Sequence, residues 1–204
     1  MYTHTKEFRE SVTPSQAIEL LKEGNQRFLN NIKRQRDNLH LVNETKDEQH
    51  PVAVVLSCID SRTAAELVFD QGLGDIFSIR IAGNIVNEDI LGSMEFACKV
   101  AGAKAIVILG HTNCGAIKGA CEDVHLGHLN GLISKIKPAI LECKAQDKKD
   151  VDQVAETHVH RMVNEVLWRS SILKQMIQQN EIALVGGMYS LDTGAVTFYE
   201  PVKA

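Results

Sequence analysis

From residue 51 onward the apolar positions come in short unbroken runs instead of alternating with polar ones. "PVAVVLS" (51–57) and "KAIVILGH" (104–111) are rich in β-branched residues. Runs of this kind mark strands covered on both faces. "DIFSIRIAG" (75–83) and "EIALVGGMYSL" (181–191) read as two more strands. Between them the pattern turns helical: "TAAELVFDQ" (63–71), "DILGSMEFACKVAGA" (89–103), "CGAIKGACEDV" (114–124), and two longer segments at roughly 130–146 and 151–179. In the second of these helices Leu91, Met94, Phe96 and Ala97 are expected to face inward. "DTG" (192–194) makes a turn into a last strand, "AVTFYE" (195–200), expected as an antiparallel edge.

Ahead of the strands, "TPSQAIELLKEGNQRFL" (13–29) predicts a helix. Thr13 is a candidate N-cap, Pro14 fits the first turn, and Gln16 completes a capping box. Ile18, Leu21 and Phe28 share one face. From about 30 to 49 the chain is polar and charged, and reads as an arm or loop. Strands alternating with helices predict an α/β fold. The expected core is a central, mainly parallel sheet flanked by helices, with four parallel strands plus an antiparallel edge strand. The whole chain, 1–204, is expected to be one domain: an N-terminal helical arm (1–50) and an α/β core (51–204) with a helical insertion at about 120–180.

The formal charge of -4 over 204 residues is mild. The one basic run, Lys33-Arg34-Gln35-Arg36, reads as a solvated helix end, so no nucleic-acid partner is expected. No stretch of about 18 apolar residues predicts a membrane span. "MYTHTKEFRESV" has no apolar signal core, so the expected location is cytoplasmic. The odd cysteine count, five, argues against a disulfide framework. Cys98 and Cys121 read as packing, and Cys143, with charged neighbours, as exposed. His125 and His128 read as surface residues before proton relays. His158 and His160 read as solvated.

In open α/β sheets, sites form beyond the carboxyl ends of the strands. One predicted strand ends at Cys58. Another ends in His111-Thr112-Asn113-Cys114, where a three-residue step across a turn lets both outer side chains reach one ion. A lone strand-end Cys is most often core, and a lone H-x-x-C is weak. Two such features at equivalent strand ends, with Asp60 and Arg62 beside one of them, make a stronger case. Two thiolates and an imidazole suit zinc, provided the two strands are neighbours.

Cys58-Ile59-Asp60-Ser61-Arg62 fits C-x-D-x-R, and His111-Thr112-Asn113-Cys114-Gly115 fits H-x-x-C-G, with "FSIRIAGN" between them. In this the chain resembles the β-class carbonic anhydrases, over roughly residues 14–200. The resemblance implies reversible hydration of CO2 to bicarbonate and a proton. It implies one Zn2+ per chain on Cys58, His111 and Cys114. Asp60, paired with Arg62, would orient a zinc-bound hydroxide, or would itself take the fourth position in a closed state. Gln49 would supply an amide and Gly115 a backbone N–H to the substrate. Phe77, Ala82 and Phe96 match pocket walls that, in the family, come from the partner subunit. Ala82 is smaller than the family's Val, Phe96 lacks a Tyr hydroxyl, and Ile59 stands where Ser is common. The resemblance implies a homodimer or homotetramer, with Phe8 and Val12 as anchors of the arm. Some members are inhibited by bicarbonate at a second site that uses a Trp three residues before the first Cys. Val55 stands there, although Arg80 matches another residue of that site, so no such inhibition is expected. Alternatives are a CS2 or COS hydrolase on the same zinc site, a non-catalytic zinc- or bicarbonate-binding protein with Asp60 on the metal, and a thiol-redox protein. The last lacks a C-x-x-C and leaves Asp60 and Arg62 unexplained.

Overall fold

The computed structural model describes residues 4–147 and 150–202. Its centre is a five-stranded sheet of β1 (Ala53–Ser57), β2 (Ile76–Arg80), β3 (Ala105–His111), β4 (Ala183–Tyr189) and β5 (Val196–Phe198), in the order β2-β1-β3-β4-β5. The first four strands are parallel, and β5 runs antiparallel to β4 at one edge. The expected architecture is therefore met, with four parallel strands and an antiparallel edge.

Alternation along each strand sorts the sheet into two apolar faces. Val54, Leu56, Ile106, Ile108 and Leu184 face one core. Ala53, Val55, Ala105, Val107, Leu109 and Val185 face the other. The helices α5 (Glu88–Glu95), α6 (Gly115–Cys121), α8 (Lys137–Ala145), α9 (Val151–Arg169) and α10 (Ser171–Gln178) contribute to the first core. The second is covered by α2 (Pro14–Leu29) and α4 (Ala65–Val68). The expected capping box starts α2: the Gln16 N–H donates to Thr13 Oγ1 and the Thr13 N–H to Gln16 Oε1. The 120–180 region lies directly on the sheet. Glycines at 110 and 186 let α9 come close, since a Cβ on either would stand 2.6 and 2.8 Å from Val159 methyls.

Several expectations are corrected. The N-terminal stretch forms α1 (Lys6–Ser11), and the 30–49 arm contains α3 (Asn38–Thr45). Thr5 and Asp37 cap these helices, and Leu41 is buried. Phe8 and Val12 pack on this chain's own second core. The basic run is solvated only at Lys33 and Gln35: Arg36, with Arg27 from α2, grips the buried Asp70 carboxylate at 2.6 and 2.5 Å, and the Arg34 N–H also donates to it. The two long helical segments are each broken. The first divides into α7 (Leu129–Ser134) and α8, with Pro138 in the first turn of α8. The second divides at Ser170, whose hydroxyl caps α10 at the Leu173 N–H. Phe96 does not face inward but is 52% exposed, because it stands two residues, about 200°, around the helix from the fully buried Met94. Cys143 is buried, with its S–H on Thr157 Oγ1, while Cys121 is exposed. His158 is fully buried in the first-face core, whereas His160 is exposed and stacks on Tyr199.

Candidate metal centre

Strand order reverses between β1 and β3, which are direct parallel neighbours. That reversal opens a crevice at their carboxyl ends. Cys58 follows the last residue of β1, and His111 is the last residue of β3. The turn beyond His111 is held on three sides. The Thr112 N–H donates to the Tyr189 carbonyl, the Leu191 N–H to Thr112 Oγ1, and the Asn113 N–H to the Asp152 carboxylate at 2.7 Å. Asn113 has φ 53°, which turns the chain so that Cys114 sits at the N-cap of α6. The sulfurs of Cys58 and Cys114 and a ring nitrogen of His111 lie within 4.8 Å of one another, and all three residues are buried.

The donor chemistry fits a metal. His111 Nδ1 lies 2.9 Å from the Thr112 carbonyl, which requires a proton on Nδ1. Nε2 is then a bare lone pair, buried and without a hydrogen-bond partner in the protein. The Cys58 sulfur accepts the Gly83 N–H at 3.3 Å. A hydrogen bond from Cys114 holds the Cys58 thiol far down, at about 4, and the same shared proton, with burial, pushes Cys114 up. A divalent cation in place of that proton would let both sulfurs be thiolates. Two sulfurs and one imidazole are the donor set of an open zinc site, with a fourth position left over.

Asp60 does not belong to this cluster of donor atoms. Its two carboxylate oxygens take a bidentate grip from Arg62, Nε to Oδ1 at 2.9 Å and NH2 to Oδ2 at 2.8 Å. The Arg62 N–H adds a third bond to Oδ1. The guanidinium holds the Asp60 carboxyl well below the usual carboxylate range. The backbone of this turn is clamped as well. Thr63 Oγ1 donates to the carbonyls of Cys58 and Asp60, and Arg80 reaches the same two carbonyls.

The other expected residues are distributed unevenly. Ala82 opens a 3-10 turn (Ala82–Asn84) whose Gly83 touches the Cys58 sulfur, and Gly115 is the first residue of α6. Phe77 and Phe96 meet edge to face, 6.3 Å between centroids, in a surface groove along β2 and α5. Gln49 lines a different surface cavity with Val42, Thr45 and Leu73. Sequence reasoning missed Thr63, Gly83, Asp152 and His158, although Val154, His158, Met162 and Val166 repeat every fourth position as a core-facing stripe would.

A mainly parallel sheet with a Cys-His-Cys donor set at its switch point defines an α/β metalloprotein with an open coordination position. The carbonic anhydrase family profile matches residues 53–196, and the chain belongs to the β-class carbonic anhydrase family. It is 36% identical over 192 residues to carbonic anhydrase 2 of Mycobacterium tuberculosis, covering 90% of this chain and 92% of that protein. It is 35% identical to the carbonic anhydrase of Mycolicibacterium smegmatis, with the same coverage. Its fold resembles a tetrameric β-carbonic anhydrase of Sordaria macrospora, with a TM-score of 0.74 at 22% identity, over 81% of this chain and 89% of that one. It also resembles a Coccomyxa β-carbonic anhydrase, with a TM-score of 0.71 at 24% identity, over 79% and 78% of the two chains. CO2 hydration on zinc is the activity of the family.

Proposed function

We propose that this chain interconverts CO2 and bicarbonate with Cys58, His111 and Cys114 as zinc ligands and Asp60 and Arg62 as the groups that run the site. When bound, zinc supplies the Lewis acidity that makes water a nucleophile near neutral pH. The two thiolates and the neutral imidazole would balance the charge of the ion. Asp60, ionised and acceptor-only, takes a hydrogen bond from the attacking water and turns its lone pair toward CO2. Arg62 keeps that carboxylate out of the ligand set by offering it a bidentate partner. Gly115 N–H and the Gln49 amide are the proposed donors to substrate oxygens. Phe77, Ala82 and Phe96 are the proposed apolar walls.

Part of that pocket belongs to a second copy. Phe77 and Phe96 lie in an open groove beside β2, an edge strand of the sheet. An edge strand and an exposed Phe96 beside the half-buried Phe77 favour self-association. We infer a homodimer or homotetramer, in keeping with the tetrameric Sordaria protein. A single compact domain and a cytoplasmic location complete the proposal, and five free thiols are consistent with that location. No helix among the described residues is long and apolar enough to cross a membrane.

The observation that carries this reading is the bare, buried His111 Nε2 beside two thiols, with the neighbouring carboxylate withheld by Arg62. Withholding it also separates this reading from a closed, non-catalytic zinc site. The test is zinc content and CO2 hydration measured on the same variants. Cys58→Ser and His111→Ala lose both. Asp60→Asn keeps about one zinc per chain and loses hydration by about 100-fold or more. Asp60→Asn with wild-type turnover defeats the role given to Asp60.

A further inference from the structure

We propose that His158 is a positioning residue of the metal centre, holding Gly83 so that its N–H stays aimed at the Cys58 sulfur. The inference rests on the zinc reading above and extends it to a residue on a distant helix.

The links are short and buried. His158 Nε2 lies 2.9 Å from the Gly83 carbonyl, and the Gly83 N–H donates to Cys58 Sγ at 3.3 Å. The carbonyl can only accept, so the imidazole proton is on Nε2. Burial holds the ring neutral, with its pKa down at about 4, so it keeps a single N–H to give. Gly83 is in the left-handed region, φ 66° and ψ 19°, where a residue without Cβ has many conformations to choose from. A Cβ there would also stand 3.0 Å from Ile136 Cδ1. The turn therefore needs glycine, and a freely turning glycine needs an external hold.

That hold has a second point. One helical turn along α9, Met162 Sδ accepts the Val86 N–H at 3.2 Å. His158 and Met162 thus grip the 83–86 segment from one face of the helix. At the start of α9, Asp152 accepts the Asn113 N–H in the loop between the other two ligands. One helix therefore braces both the loop that leads to Cys114 and the segment whose N–H meets the Cys58 sulfur. An N–H donated to a thiolate fixes its position and draws charge from the sulfur, which tunes the donor strength of Cys58. Outer partners of this kind typically change metal affinity about 10–100-fold.

The test uses cobalt-substituted protein and reads Co2+ affinity by chelator competition together with the sulfur-to-cobalt absorption band. Wild type should bind one Co2+ per chain with a thiolate band; its failure to do so would overturn the zinc reading, and this inference with it. Given that band, His158→Phe should bind cobalt at least about tenfold more weakly and with a shifted band. His158→Gln, which restores an N–H donor, should recover affinity to within about threefold of wild type. Wild-type affinity and an unmoved band in His158→Phe would overturn the proposal, as would a His158→Gln variant as weak as His158→Phe. Nitrogen-15 NMR of histidine in the wild-type protein tests the premise without any variant. The Nε2–H tautomer of His158 is expected, and the Nδ1–H tautomer would refute it.

Discussion

Replacing Gly110 with Ala probes the contact on which the placement of α9 depends. The added Cβ would stand 2.6 Å from Val159 Cγ2 and 2.7 Å from Met188 Sδ. Carbon contacts settle at about 3.5–4.0 Å, so each neighbour must move by about 1 Å. The Met188 thioether can swing aside. Val159 cannot, because a β-branched side chain on a helix is held to one rotamer, and its other methyl is already engaged near Gly186. Overpacking of this kind costs about 1–3 kcal/mol, offset by about 0.4–1 kcal/mol from the less flexible unfolded chain. From the middle of both ranges the net is about 1–2 kcal/mol, which lowers Tm by about 2–8 °C for a chain of this size. Val159→Ala alone removes two methyls and costs about 1.6 kcal/mol or more. In the double variant the new methyl fills the space that Val159 vacates. Its loss should fall short of the sum of the single losses by about 1 kcal/mol or more. Thermal unfolding followed by circular dichroism, on metal-loaded samples, measures all four proteins. A Gly110→Ala protein as stable as wild type, or strictly additive losses, would refute the close seating of α9 on β3.

Asp70→Asn should lower Tm by roughly 5 °C at pH 7, since it weakens charge-assisted bonds from Arg27 and Arg36 worth on the order of 2 kcal/mol. Burial works to raise the Asp70 pKa, but hydrogen bonds from the two arginines outweigh it and hold it down. Its contribution is therefore complete above the unfolded value of about 3.9 and is lost as pH falls through the lower folded value. Melts from pH 6 to 3 should fall less steeply for Asp70→Asn than for wild type. Bicarbonate should inhibit only as a product, because Val55 is fully buried and Arg80 is committed to the Cys58 and Asp60 carbonyls. A steep cooperative loss of activity in a bicarbonate titration would contradict this. Alkylation of the zinc-loaded protein should label Cys121, the exposed thiol, and removal of metal should add Cys58. Peptide mapping that finds Cys58 modified at equal rates with and without zinc would count against its role as a ligand.

What the sequence disclosed was local or strongly periodic. Cys58, Asp60 and Arg62 lie within one turn, His111 and Cys114 within another, and the buried strands that bring the two turns together are unbroken apolar runs. The capping box of α2 was legible for the same reason. Features that depend on distant partners were not. Polar composition from 30 to 49 hid α3, because its capping Asp37 and single buried Leu41 are faint beside the charges around them. Cys143 has charged neighbours in sequence, yet it shares a face with Ile136 and Ala139, all fully buried. Phe96 lies two residues past the buried Met94, so the 3.6-residue period itself turns it outward, and only its apolar side chain suggests the core. His158 lay on a readable four-residue stripe, but nothing near it in sequence names Gly83 as its partner. Gln49 and the Phe77–Phe96 pair line surface cavities apart from each other, a separation that no local pattern in the sequence discloses.

Cys58, His111 and Cys114 are proposed to form an open zinc site that hydrates CO2. Stopped-flow CO2 hydration between pH 7 and 9, with zinc quantified on the same preparation, tests it most directly. One zinc per chain is expected, with turnover that scales with zinc occupancy as metal is removed and restored. One zinc per chain with no hydration anywhere in that range would contradict it.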